Sequence, residues 1–202
     1  MTSNQNRCPH CGLPHAHNQA SENLVCGECL ASPPPWDRLY CINDYRSPLK
    51  DYIQKLKYQR QFWLAKDLAI LLAENIPTPA HELIPVPLHW TRQWRRGFNQ
   101  STELAEQMAQ FWKNKGIECQ VNERVFKRIR ATPQQKGLSK VARQKNIKQA
   151  YKLITPPKYQ HIALIDDVVT TGSTIRPLCL MLKKAGVKHI DVYCLSRTPS
   201  PK

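Results

Sequence analysis

Two adjacent carboxylates followed by a hydroxyl-rich turn are the residues of this sequence best suited to chemistry. Asp166 and Asp167 come directly after an apolar run at residues 162–165. The length and β-branching of that run predict a strand buried on both faces of a parallel sheet. Because ligands collect outside the carboxyl ends of such strands, the two acids are placed for binding. The turn that follows consists of Thr170, Thr171, Gly172, Ser173 and Thr174.

This turn has the properties of a phosphate-binding loop. Gly172 permits a positive φ and a close approach of the backbone, and residues 175–185 have helical apolar spacing, so that a helix N-terminus would face the anion. Two interpretations follow: a sugar-phosphate site, or a solvated strand end with an ordinary turn capped by Ser173 or Thr174. The order of strand, acids, turn and helix favours the ligand site.

Four of the eight cysteines form two C-x-x-C knuckles. Fourteen residues separate the pair Cys8 and Cys11 from the pair Cys26 and Cys29, a spacing close to that of two-knuckle zinc sites. Four thiolates suit Zn²⁺ in a closed structural site, and this region has few large apolar side chains with which to fold without metal. We predict structural zinc; the alternatives are a redox motif, a disulfide pair and an iron–sulfur cluster. The nearby histidines are then unneeded and exposed: His10, His15 and His17.

Length and charge set further bounds. A chain of 202 residues can form one sizeable core and a small appendage. Its formal net charge is +15, and residues 124–152 contain ten Lys or Arg and no acid, which indicates either a solvated face or a nucleic-acid-binding segment. The longest aliphatic stretch, residues 68–73, is too short to span a membrane. We expect a cytoplasmic protein without membrane insertion.

Alternating helical and strand patterns predict an α/β fold with a mainly parallel sheet. The pattern predicts strands at 83–86, 162–165 and 189–195, and helices at 49–56, 62–73, 100–113 and 175–185. Three consecutive prolines end at residue 35. We therefore divide the chain into a small zinc-ribbon-like module with its linker at 1–35 and a main domain at 36–202.

From residue 162 to residue 174 the chain resembles the phosphoribosyltransferases, whose signature is four mostly apolar residues, two acids and a T-T/S-G-x-T loop. The resemblance implies a type I phosphoribosyltransferase-like fold. It also implies that the catalytic Asp166 and Asp167 hold the ribose hydroxyls of phosphoribosyl pyrophosphate (PRPP), and that residues 170–174 cradle its 5′-phosphate. Loss of pyrophosphate builds positive charge on the ribose, which carboxylates stabilise. Mg²⁺ would meet the leaving pyrophosphate.

Two further segments resemble the ComF family. Residues 85–89 read PVPLH and residues 95–100 read RRGFNQ; the knuckles and the basic stretch extend the likeness over nearly the whole chain. The resemblance implies that residues 130–146 form a flexible loop that closes over the site and shields it from water. By themselves, residues 89–97 would be interpreted as a basic exposed loop. The implied pyrophosphate loop contains Arg92, Arg95, Arg96 and Gly97.

The resemblance thus implies a ComFC-like protein that binds PRPP with Mg²⁺ and acts in DNA uptake or use during natural transformation. As an enzyme it would transfer the pentosyl group to an acceptor that the residues do not identify. The implied partners are PRPP or a related phosphorylated ribose, single-stranded DNA and other DNA-uptake proteins. The alternative is a non-catalytic single-stranded DNA-binding protein on the same scaffold, with affinity that falls steeply with salt.

Overall fold

The computed structural model of the protein describes residues 7–15, 24–59, 61, 63–88, 94, 97–129 and 150–198. Helices and strands alternate along the chain, so the predicted α/β class is confirmed. In chain order the elements are α1 (Gly27–Ala31), β1 (Arg38–Asp44), α2 (Leu49–Tyr58), α3 (Trp63–Ala73), β2 (Glu82–Pro85), α4 (Gln100–Lys113), β3 (Gln120–Val121), β4 (Phe126–Arg128), β5 (Tyr151–Leu153), β6 (His161–Val169), α5 (Ile175–Lys184) and β7 (His189–Arg197).

Five strands form one sheet in the order β1-β7-β6-β2-β3, and every pairing in it is parallel, as the apolar runs predict. The register places Pro85 of β2 opposite Ile165 of β6, and Asp166 of β6 opposite Cys194 of β7. Strands β4 and β5 form a separate antiparallel pair. The carboxyl ends of β2, β6 and β7 therefore meet at one edge of the large sheet.

The sheet is buried between two apolar layers. On one face, Ile162 and Leu164 of β6 pack with Leu178 and Leu182 of α5. On the other face, Ala163 and Ile165 lie in a second cluster with residues of α2, α3 and α4. Residues 162–165 are fully buried, which is why the strand reads as a continuous apolar run rather than an alternating one.

The chain reverses direction across the sheet between β2 and β6. After β6 it passes through α5 on one face to β7, whereas after β2 it passes through α4 on the other face to β3, on the opposite side. The carboxyl ends of two strands that diverge in this way leave a crevice, and open α/β sheets bind ligands in that crevice. Both sequence segments singled out above leave the sheet at this point.

Most elements begin and end close to their predicted positions. Helix α4 has the predicted bounds, and its start is capped by Asn99, whose side chain accepts a hydrogen bond from the Ser101 amide. Strand β6 differs, because it continues to Val169 and contains both carboxylates instead of ending before them. Within the described ranges, none of the helices combines the length and apolarity needed to cross a membrane.

Candidate functional site

The side chains of the two carboxylates lie on opposite faces of the sheet. Side chains alternate along a strand, so Asp166 follows Leu164 towards the α5 layer, while Asp167 follows Ile165 towards the layer of α2, α3 and α4. Asp167 is 8% exposed, and Asp166 is partly buried. One oxygen of Asp166 accepts a 2.8 Å hydrogen bond from the Asp167 amide. Both acids thus lie in the carboxyl-terminal half of β6, one on each face of the sheet, with Val168 and Val169 following them.

Lys57 of α2 is a site residue that the sequence analysis missed. Its Nζ lies 2.8 Å from Oδ2 of Asp167, and both side chains are mostly buried. The signal was present in the helical spacing, because Lys57 is four residues after the fully buried Ile53 and so lies on the same face of α2. This ion pair compensates the charge of one carboxylate inside the fold.

Asp166 is electrostatically strained. Burial, and then the negative charge of Asp167, raise the pKa of Asp166 to about 7, although Lys57 and Arg128 act in the opposite direction. Arg128 ends β4 and was also missed, because nothing in its local sequence points to β6. At neutral pH the Asp166 carboxyl is therefore divided between its protonated and ionised forms, and it can accept a proton.

The turn after β6 is closed tightly onto the start of α5. Gly172 is buried and has φ +71°, the left-handed region that favours glycine. Thr174 occupies the N-cap of α5 but makes no side-chain cap hydrogen bond, so the interpretation of an ordinary cap is not supported for Thr174. The Arg176 amide donates a 2.8 Å hydrogen bond to the Gly172 carbonyl, and Pro177 has no N–H. Donors for a phosphate must therefore come mainly from the turn itself.

The PVPLH segment leaves β2 beside these residues. The Val86 amide donates a 2.9 Å hydrogen bond to the Ile165 carbonyl, and the Asn99 side chain donates a 3.1 Å hydrogen bond to the Val86 carbonyl. Asn99 thus closes the segment on itself before α4 begins. Gly97 has φ +83°, which fits a turn. The other predicted members of this loop, Arg92, Arg95 and Arg96, and the basic stretch 130–146 lie outside the described residues.

A cavity of about 210 Å³ lies between the segment that leaves β2 and the strand β4. One of its lining residues, Arg128, also acts on the charge of Asp166. Its lining combines two cations with one acid, Glu123, which accepts a 3.1 Å hydrogen bond from Thr102. The full lining is Pro85, Pro87, Leu88, Asn99, Thr102, Glu123, Phe126, Lys127 and Arg128.

The four predicted cysteine ligands form a second site. The sulfurs of Cys8, Cys11, Cys26 and Cys29 all lie within 4.8 Å of one another, so that one ion can contact all four. Four soft sulfur donors at this spacing fit Zn²⁺. In the described part of the chain no other group of acidic, histidine or cysteine side chains is so arranged.

The two histidines of this region that the structure describes, His10 and His15, do not contribute to that cluster. They are partly buried rather than exposed as expected, since the knuckles fold against β1. One nitrogen of each ring is buried without a hydrogen-bond partner in the described structure. The third, His17, lies outside the described residues.

The protonation of the cluster explains its need for a cation. Burial acts to raise the pKa of the Cys8 thiol, but hydrogen bonds from backbone amides, that of Cys26 first, lower this pKa to about 7. Burial raises the pKa of Cys11 to about 12 and also raises that of Cys29. Four adjacent thiolates therefore do not ionise together unless a metal ion compensates their charge.

Comparison with known proteins finds close relatives. DNA utilization protein YhgH of Salmonella typhi is 38% identical over 200 residues, 95% of this chain and 84% of that protein. Competence protein F of Haemophilus influenzae is 37% identical over 201 residues, 94% of this chain and 84% of that protein. Competence protein ComFC of Streptococcus pneumoniae is 29% identical over 164 residues, 77% of this chain and 66% of that protein. No family model matches the chain.

The cysteine cluster yields a first prediction. Replacing Cys26 and Cys29 together by Ser should abolish zinc binding, because each knuckle supplies two of the four ligands. Metal content of the purified protein, measured by atomic emission, checks this. The matched control is Cys119→Ser, which removes a partly buried thiol outside the cluster and should retain the metal. Unchanged zinc in the double variant would contradict the assignment.

A second prediction concerns pH. Asp166 loses its proton near its ordinary pKa of 3.8 in the unfolded chain but only near pH 7 in the fold. The unfolded state therefore binds fewer protons between these values, and this group makes the fold less stable as pH rises from about 4 to about 7, by about 1.4 kcal/mol per unit at most. Asp166→Asn should be progressively more stable than the wild type across that window.

Urea unfolding at pH 4, 5, 6 and 7 measures this difference. The control is Asp51→Asn, an exposed carboxylate of α2, whose stability relative to the wild type should change little with pH. A difference between Asp166→Asn and the wild type that does not grow with pH would contradict the assignment of the raised pKa.

Proposed function

Because the chain belongs to the ComF family, we propose that it binds PRPP with Mg²⁺ and acts in the uptake or use of DNA during natural transformation. Relatives that align with most of its length are named as DNA utilization and competence proteins. We assign PRPP binding to residues 36–202, with a type I phosphoribosyltransferase fold, and structural zinc binding to residues 1–35.

One observation carries the ligand proposal: two carboxylates of the central strand are followed directly by a hydroxyl-rich turn in which Gly172 has φ +71°. Asp166 and Asp167 offer acceptors for hydroxyl groups, whereas the hydroxyls and amides of residues 170–174 offer donors for an anion. A ribose 5-phosphate unit has hydroxyl groups and a phosphate separated by one sugar ring. The site thus suits a phosphorylated ribose better than either a simple anion or a simple sugar.

The donor set also fits the rest of PRPP. Carboxylate oxygens are hard ligands of the type that Mg²⁺ takes when it is bound mainly by substrate phosphates. When bound, Mg²⁺ would neutralise charge on the pyrophosphate. On the protein side, Lys127 and Arg128 line the cavity next to the segment that leaves β2, and we assign the pyrophosphate to that cavity together with Gly97. The three arginines of the same segment complete the proposed loop: Arg92, Arg95 and Arg96.

The chemistry that such a site supports is displacement of pyrophosphate from the anomeric carbon. The bond to pyrophosphate breaks as a nucleophile attacks from the opposite face, and the positive charge that develops on the ribose lies near Asp166 and Asp167.

A second candidate function is single-stranded DNA binding without catalysis, and the charge distribution favours it. The net charge is +15, and the stretch 124–152 contains ten basic residues and no acidic one. A phosphate chain would be repelled by the two acids at the centre of the crevice, so we assign DNA to the basic stretch 124–152 and not to the ribose site. Other DNA-uptake proteins are the remaining proposed partners.

We place the protein in the cytoplasm, where thiols remain reduced. All eight cysteines are free, and a zinc-binding set of four thiols needs them reduced.

The third prediction tests PRPP binding directly. Calorimetric titration of the zinc-loaded protein with PRPP and Mg²⁺ should give saturable binding. Asp166→Asn with Asp167→Asn should weaken it at least about a hundredfold, since two charge-assisted contacts are lost. Asp67→Asn with Glu74→Gln, two exposed acids of the α3 region, changes the charge equally and should bind as the wild type does. Absence of binding by the folded wild type would overturn the proposal.

The fourth prediction separates the two ligands. In fluorescence anisotropy with a labelled oligonucleotide, the same Asp166 and Asp167 variant should bind single-stranded DNA as tightly as the wild type or more tightly, because negative charge has been removed. The affinity of both proteins should fall steeply between 50 mM and 200 mM salt. Parallel loss of DNA and PRPP binding would show that the two ligands share one site.

A further inference from the structure

Trp36 joins the first cysteine knuckle to the turn at residues 170–174, which we call the phosphate turn. Its indole N–H donates a 2.6 Å hydrogen bond to the His10 carbonyl, inside the Cys8–Cys11 knuckle. The opposite edge of the ring lies against Gly172, where an added Cβ would come within 2.9 Å of the Trp36 Cη2 atom. Because Trp36 is only 6% exposed, a shift at one edge of the ring displaces what touches the other.

Arg197 makes the same connection through its guanidinium group. Its Nε donates a 2.8 Å hydrogen bond to the carbonyl of Cys11, a predicted metal ligand. Its Nη1 donates to the carbonyls of Val169, at 3.1 Å, and of Thr170, where the phosphate turn begins. The side chain is buried, so these carbonyls are what replaces water around its charge.

Neither residue is needed simply to attach the knuckle. The Leu39 amide of β1 donates a 2.8 Å hydrogen bond to the Pro9 carbonyl, and Arg7 forms a 2.8 Å ion pair with Asp44 of β1. These contacts hold the cysteine-rich region on the edge strand of the sheet and do not reach the phosphate turn. Trp36 and Arg197 therefore differ from these attaching residues, because they also contact the end of β6 and the phosphate turn.

We propose that metal binding at the four cysteines and anion binding at residues 170–174 are coupled through Trp36 and Arg197. A bound metal ion restrains the knuckle whose carbonyls, those of His10 and Cys11, orient both side chains. The side chains in turn position the turn that receives the phosphate. Coupling is reciprocal, so an anion in the turn also raises the affinity of the four cysteines for the metal. We expect this higher affinity to be expressed as slower loss of the metal. The identity of that anion as PRPP rests on the proposed function.

The decisive experiment compares two glycine substitutions. Gly172 and Gly116 have φ +71° and +77°, so alanine strains both backbones alike, yet a Cβ meets Trp36 only at Gly172 and meets nothing within 4 Å at Gly116. Zinc transfer from the full-length protein to a chromogenic chelator should be about two- to tenfold faster in Gly172→Ala, the factor that one net hydrogen bond is worth. Gly116→Ala should match the wild type. Equal rates in the two variants would overturn the coupling.

A second pair of variants tests the connecting side chains themselves. Trp36→Phe removes the N–H but keeps a ring below Gly172, and Arg197→Lys keeps the charge but has fewer donors. Both should retain full zinc content, and in wild-type protein PRPP with Mg²⁺ should slow zinc transfer several-fold. The variants should lose that effect. Trp36 and Arg197 would alter the effect of PRPP on zinc transfer only if they are positioning residues, not if their role is purely structural. Retention of the full effect in both variants would therefore contradict the positioning role.

The two proposals fail separately. If PRPP does not bind to the wild type, the proposed function is overturned. The glycine comparison contains no ligand and would still decide whether the phosphate turn and the metal site are coupled. If PRPP binds but Gly172→Ala releases zinc as slowly as Gly116→Ala, the proposed function stands and the coupling is rejected.

Discussion

The parallel pairing of β6 with β2 and β7 is the constraint on which the site depends. The four apolar residues of β6, 162–165, are buried on both faces of the sheet. This burial fixes the register that sets Pro85 beside Ile165. A slip along the strand would bury a carboxylate in an apolar layer. The same register therefore places Asp166 and Asp167 where the layers end, beside the segment that leaves β2.

Burial has an electrostatic consequence at this point. The acids are close enough to raise the pKa of Asp166, and the fold compensates with the ion pair between Lys57 and Asp167. In a chain of net charge +15, two acids at the end of the central strand are a local exception. A group of this kind is typical of a functional site, because it destabilises the fold while improving the binding of a ligand rich in hydroxyl groups.

The cysteine-rich region is packed against the same part of the sheet as the two acids. Its first knuckle lies on β1 and contacts, through Trp36 and Arg197, the turn that follows β6. The proline-based boundary at residue 35 thus divides the sequence at a point where the structure has close contacts across it. In a region with few large apolar side chains, these contacts with the sheet edge stand beside four cysteines that could hold a metal ion.

Local patterns predicted several elements because their causes are local. Helix α4 was predicted at its observed bounds from apolar spacing, and the four cysteines were grouped correctly because C-x-x-C spacing brings two thiols to one ion within each knuckle. The predicted end of β6 was wrong, since Asp166, Val168 and Val169 continue the pairing with β7 beyond the apolar run. A hydrophobic run marks the buried part of a strand and not its hydrogen-bonded length.

The sequence by itself thus determined the α/β class, the grouping of four cysteines that could hold a metal ion, and the turn between β6 and α5, all of which follow from periodicity or short spacing. Only the tertiary structure decided that Lys57 faces Asp167, that the two acids lie on opposite faces, and that Arg197 contacts Cys11. The last pair is 186 residues apart in the chain. Such contacts depend on strand order and helix packing, which arise from burial over the whole sheet and leave no pattern in neighbouring residues.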